Sequence, residues 1–137
     1  MSGFVELEPT RARSSVYMGD KVKISFGKIN GMENLSIYFG KDIAIRAGIK
    51  TGDYLQLFEN EANPFVWLLK KAIPGKGRKV SDIRKTKAGS EPLFRYQSRW
   101  SKPVPAGITH TIYVNNDLYD GGVRIFLPGS SPEDRML

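Results

Sequence analysis

Apolar and polar side chains alternate over residues 21–26, where Val22, Ile24 and Phe26 are set against Lys21, Lys23 and Ser25. This is the period-two pattern of a strand with one buried face. The next apolar set, Leu35, Ile37 and Phe39, repeats it. Between them stands Asn30-Gly31, a dipeptide that accepts positive φ at both central positions of a tight turn, so the two strands are predicted to form a hairpin. Residues 40–48 predict a short helix. Asp42 sits in its first turn, Ile43 and Ala47 share one face, and Gly48 followed by Ile49 supplies a glycine stop. The turn Lys50-Thr51-Gly52-Asp53 leads into a strand over 54–59, where Leu55 and Leu57 alternate with Gln56. A loop over 60–64 precedes 65–69, apolar throughout and therefore expected to be covered on both faces.

Beyond Ala72 the pattern changes. Pro74, Gly75, Gly77 and a dense set of lysines and arginines up to Gly89 read as a basic mobile loop, with too little apolar content to pack. Alternation resumes over 93–100, breaks over 103–107, and returns over 109–114 and 123–127. The resulting plan is one domain over 1–137, with an arm at 1–17, a core at 21–72, a basic loop at 73–92 and further strands at 93–128. Its class is α+β, mostly β: a small barrel with one short helix. An ungapped alignment of residues 35–44 on 110–119 keeps Ile37/Ile112, Tyr38/Tyr113 and Asp42/Asp117. As a duplication, it predicts a pseudo-symmetric single-chain barrel in place of an obligate dimer.

The segment "NLSIYFGKDIAIRAGIKTGDYLQLFENEANPFVWLLKKA" resembles the AbrB/MazE-type (SpoVT-AbrB) swapped-hairpin transcription factors over residues 21–72. The matching residues are Ala47-Gly48-Ile49-Lys50-Thr51-Gly52-Asp53 and Leu69-Lys70-Lys71; the same local unit occurs in double-psi barrels. The resemblance implies a homodimer of interleaved hairpins that binds DNA mainly through arginines on the strands and loops of one face. Where that family usually has a proline and helix-opening arginines, this chain has Phe39-Gly40, and Arg46 is the one helix arginine carried over. The family's acidic toxin-binding tail has no counterpart, which favours plain nucleic-acid binding over an antitoxin role.

Charge sharpens this reading. The net charge is +7, and residues 70–102 hold eleven basic side chains against only Asp82 and Glu91. Concentrated positive charge is what a polyanion requires. The candidate phosphate-neutralising residues are Lys70, Lys71, Lys76, Arg78, Lys79, Arg84, Lys85 and Lys87, together with Arg46. Arg95, Tyr96, Arg99 and Trp100 are the candidates for stacking or base contact, because cations interleaved with aromatics can grip backbone and base together. Arg11 and Arg13 in the arm offer further backbone contacts.

Catalytic chemistry has little support. The chain has no cysteine and a single histidine, His110, placed in a strand pattern. Asp42, Asp53, Asp117 and Asp120 fall on turns and helix starts, and "PGKGRK" lacks the spacing of a phosphate loop. The expectation is a non-enzymatic protein without cofactor or metal. Absence of cysteine, of a long apolar run and of a leader-like start points to the cytoplasm and away from membranes. The expected function is a small DNA-binding regulator, with DNA favoured over RNA. The alternative is a protein-interaction module, of the inhibitor or assembly-factor kind, docking on an acidic protein partner.

Overall fold

The first hairpin forms where the alternation places it. In the computed structural model, which describes residues 20–73, 75–83, 93–105, 108 and 111–129, strand β1 (Val22–Ile29) pairs antiparallel with β2 (Met32–Gly40). Asn30 and Gly31 take φ of 53° and 79°, and Ile29 pairs with Met32 directly across them. Both central residues are thus in the left-handed region, as a primed two-residue turn requires. Helix α1 (Lys41–Ala47) follows without a break and buries Ile43 and Ala44. Gly48 ends it at φ 72°, its N–H donating to the Ile45 carbonyl, while Ile49 donates to Ala44 at 2.8 Å and is itself buried. This is the glycine stop with its apolar fold-back.

Asp53 holds the next turn. One of its carboxylate oxygens accepts from the Lys50 N–H at 2.8 Å, and the chain then enters β3 (Tyr54–Glu59). Strand β4 (Val66–Lys71) returns beside it with Leu57 opposite Leu69. The Asn60 side chain accepts from the N–H groups of Ala62 and Asn63 to shape the connecting loop. Trp67 and Leu69 point inward, whereas Leu68 and Phe65 keep exposed surface, so the outer side of β4 is less covered than its composition predicts.

The segment expected to be a loop contains β5 (Arg78–Lys79) and β6 (Ser81–Ile83), followed by β7 (Leu93–Arg99). A last hairpin, β8 (Ile112–Tyr119) and β9 (Gly122–Phe126), turns at Asp120-Gly121 with φ of 51° and 76°. The strands order as β5-β3-β4-β9-β8-β1-β2-β7-β6 in one antiparallel sheet. Its two edge strands, β5 and β6, are consecutive in the chain. One short segment therefore pairs with β3 through Arg78 and Lys79 and with β7 through residues 81–83, drawing the sheet into a nearly closed barrel. Between them Val80 is buried, donates its N–H to the Asp53 carbonyl at 2.8 Å and accepts from Gly52 at 3.2 Å. Residues 78–83 are therefore strand and seam, a correction to the mobile-loop expectation for that part of 73–92. Pairing with two neighbours holds backbone that composition alone leaves unpacked.

The barrel interior is filled by Val22, Ile24, Leu35, Ile37, Phe39, Leu55, Trp67, Leu69, Tyr96, Val123 and Ile125, with α1 packed on β2, β7 and β9. Every strand of the 21–72 unit finds its neighbours within the same chain: β8 beside β1, β7 beside β2, β5 beside β3 and β9 beside β4. The proposed duplication is not reproduced, because residues 41–44 are helical and residues 116–119 continue a strand. The shared residues have another cause. Strands β2 and β8 flank β1 on opposite sides in matching register, so that Ile37 and Ile112 both oppose Ile24, and Tyr38 and Tyr113 both oppose Lys23.

Candidate nucleic-acid interface

Pairing register decides which side chains share the outer wall, since residues directly opposite one another project to the same face. With Leu35, Ile37 and Phe39 inside, the outward positions are Asn34, Ser36 and Tyr38 on β2, Lys23, Ser25 and Gly27 on β1, and Arg95, Gln97 and Arg99 on β7. No carboxylate occupies an outward position among the described residues of these three strands. One row crosses the wall through five strands: Ser81, Arg95, Tyr38, Lys23 and Tyr113. The Lys23 Nζ lies 5.4 Å from the centre of the Tyr38 ring. Tyr113 at the end of the row is 53% exposed.

At the seam the wall deepens into a cleft of about 410 Å³ lined by Tyr54, Gly77, Arg78, Lys79, Ser81, Arg95 and Gln97. Strand β5 brings Arg78 and Lys79 to one side of it and β7 brings Arg95 to the other. Arg78 Nε donates to the Gln97 carbonyl at 3.3 Å, and Gln97 Nε2 donates to Ser36 Oγ at 3.1 Å, fixing the floor. Arg95 Nε is buried and makes no hydrogen bond. A buried donor left unmade costs about 1–3 kcal/mol; this nitrogen is out of reach of water, so an oxygen entering the cleft meets it only if the side chain shifts.

The sequence candidates therefore divide. Arg78, Lys79 and Arg95 converge on the cleft, Arg99 stands two positions further along the same file of β7, and Lys76 is exposed on the turn leading to Gly77. Lys70 and Lys71 point elsewhere, to carboxylates: Lys70 Nζ lies 3.3 Å from Asp120 and Lys71 Nζ 3.5 Å from Asp53. Arg46 is exposed in the last turn of α1, outside the cross-strand rows. Arg84, Lys85, Lys87, His110 and the 1–17 arm with Arg11 and Arg13 lie outside the described residues.

One aromatic assignment is corrected, and a second is met by a packing role. Tyr96 opposes Ile37 inside the barrel at 5% exposure, and burial pushes its hydroxyl above the usual phenol range, so its ring is not presented to a base. Trp100 plugs one end of the core. It packs edge-on to Phe26 and tilted against Trp67, both at 5.4 Å between ring centres, and its indole N–H donates to the Pro103 carbonyl. Buried Trp-to-Ala changes cost about 3–5 kcal/mol, and partial exposure reduces that to about 2–3 here. Trp100→Ala should therefore lower the melting temperature by roughly 5–10 °C. Single-stranded and duplex affinities should fall equally if at all; a loss confined to single strands with unchanged melting would restore the stacking role.

Lys23, Tyr38 and Tyr113 share this wall but are not among the sequence candidates, although the 35–44/110–119 alignment pairs Tyr38 with Tyr113. Arg124 is not among them either. It is buried on the outer face of β9, with its guanidinium 4.5 Å from the Tyr119 ring centre and 5.2 Å from that of Phe126, and is held by two hydrogen bonds to Asp117 at 2.9 and 2.7 Å. This arginine is committed to structure.

Among the described residues no helix is long and apolar enough to cross a membrane, and no group of three or more His, Cys, Asp or Glu side chains could hold a metal ion. Comparison of the chain with family models, with curated proteins and with solved structures finds no match.

Proposed function

We propose that this protein is a nucleic-acid-binding protein, a small regulator of the kind the AbrB-type resemblance at Ala47–Asp53 implies, and that it binds through the outer wall of β1, β2 and β7 and the seam cleft. The observation that carries the reading is the convergence of three cations, Arg78, Lys79 and Arg95, on one cleft. Phosphate oxygens pair with converging guanidinium and ammonium groups, and tyrosines beside the cations suit a ligand with aromatic rings better than an acidic protein surface. Lys23, Arg78, Lys79, Arg95 and Arg99 are the cations that face the ligand.

The test is the salt dependence of binding, measured by fluorescence anisotropy on duplex DNA, single-stranded DNA and RNA. Five phosphate contacts give a slope of about −3.5 for log affinity against log salt on single strands, a fall of about 100-fold between 50 and 200 mM. Absence of binding to all three, or a flat response, would sink the reading.

A further inference from the structure

We propose that the strand form taken by this wall is single-stranded nucleic acid, with Tyr38 and Tyr113 as platforms for two of its bases, a reading that rests on the nucleic-acid proposal above and deepens it. Tyr38 and Tyr113 stand on either side of Lys23 in one cross-strand row. Two strand spacings separate them, about 10 Å. Within a duplex each base face is covered by a neighbour about 3.4 Å away, so an exposed tyrosine ring has nothing to stack on. In an open strand the faces are free, and bases can be splayed onto separate aromatic side chains.

Width gives an independent reason. A major groove roughly 12 Å wide admits one helix or a two-stranded ribbon, whereas the four neighbouring strands β7, β2, β1 and β8 span about 14 Å between their axes before side chains are added. The wall is too broad to enter a groove. An open strand laid across it would place backbone phosphate at Arg78, Lys79 and Arg95, and carry successive bases outward over Tyr38 and Tyr113.

Lys23 fits this arrangement rather than blocking it. Its ammonium sits over the Tyr38 ring, a contact that at an exposed site favours the pair about two- to fivefold. A stacked base is worth roughly 5- to 150-fold, so the base displaces the ammonium, which then stands between the two platforms facing the backbone.

The experiment compares an end-labelled oligothymidylate of about twelve nucleotides, its abasic counterpart and a duplex of equal length. The proteins are the wild type, Tyr38→Ala, Tyr113→Ala, Tyr38→Phe and the triple variant Arg78→Ala/Lys79→Ala/Arg95→Ala. The wild type is expected to bind thymidylate tighter than either other ligand. Each tyrosine-to-alanine change should lose roughly 5- to 150-fold on thymidylate and little on the abasic strand, and Tyr38→Phe should keep wild-type affinity. Tyr113 is exposed, so its variant carries the test even where Tyr38→Ala fails to fold. Unchanged thymidylate affinity in Tyr113→Ala, or duplex bound as tightly as the single strand, overturns the proposal. If the triple variant still loses binding in that case, the nucleic-acid reading stands without the strand-form inference. If the wild type binds none of the ligands, both fail.

Discussion

Replacing Arg78, Lys79 and Arg95 together by alanine is expected to lower polynucleotide affinity by about 10²- to 10³-fold at 50 mM salt. The salt slope on single strands should shrink from about −3.5 to about −1.4, because two of five phosphate contacts remain. The fold should survive. Arg78 and Lys79 are exposed, and the Arg78 bond to the Gln97 carbonyl is a surface contact at 3.3 Å. At Arg95 two effects oppose: the side chain loses its packed stem, but a buried donor without a partner is removed with it. The melting temperature should therefore stay within a few degrees of the wild type, as for most surface changes. Lys70→Ala/Lys71→Ala provides the contrast. Both lysines carry positive charge of the same kind, yet each lies beside a carboxylate, Asp120 or Asp53, so their removal should cost far less affinity. Equal losses in the two variants would mean that a diffuse field, and not the cleft, attracts the ligand.

The difference between those two sets shows what linear sequence carries and what it does not. The first hairpin was legible because one face of each strand is apolar and Asn30-Gly31 permits only a narrow choice of turn. Helix α1 was legible from Gly48 and Ile49, whose local chemistry does not depend on distant partners. Strands β5 and β6 were not. They are two and three residues long, too short for a period to show, and they are held by pairing with β3 and β7 rather than by their own composition. For the site, the excess of cations between residues 70 and 102 was visible, but the carboxylates that pair with Lys70 and Lys71 come from Asp120 and Asp53, far away along the chain. Alternation along β7 separates Arg95, Gln97 and Arg99 from Phe94, Tyr96 and Ser98. Tyr96 therefore lies on the opposite face from the arginines that flank it in the sequence. Lys23, Tyr38 and Tyr113 become neighbours only when three strands align, a product of register that no single segment encodes.

Gly77→Ala should open the seam and weaken binding with it. Gly77 has φ of 73°, a conformation costly for a residue with a side chain, and its added Cβ would collide with the Leu55 carbonyl on β3. Neither partner can yield cheaply, since both are backbone. The expected cost is about 1–3 kcal/mol, taken up first where the structure is least held, at the two-residue strand β5. If β5 lifts locally, the Val80 N–H loses the Asp53 carbonyl and the Gly52 N–H loses that of Val80. Hydrogen exchange should then quicken at Gly52 and Val80 while amides of β1 and β2 keep wild-type protection. If the strain is instead shared by the whole barrel, protection falls everywhere and the melting temperature drops by up to about 10 °C. Where β5 lifts, affinity should fall although no cation has been removed, because Arg78 and Lys79 are carried by the displaced strand and Arg95 is not. An unchanged affinity alongside faster exchange at Val80 would separate the seam from the binding wall and leave β5 with a purely structural role.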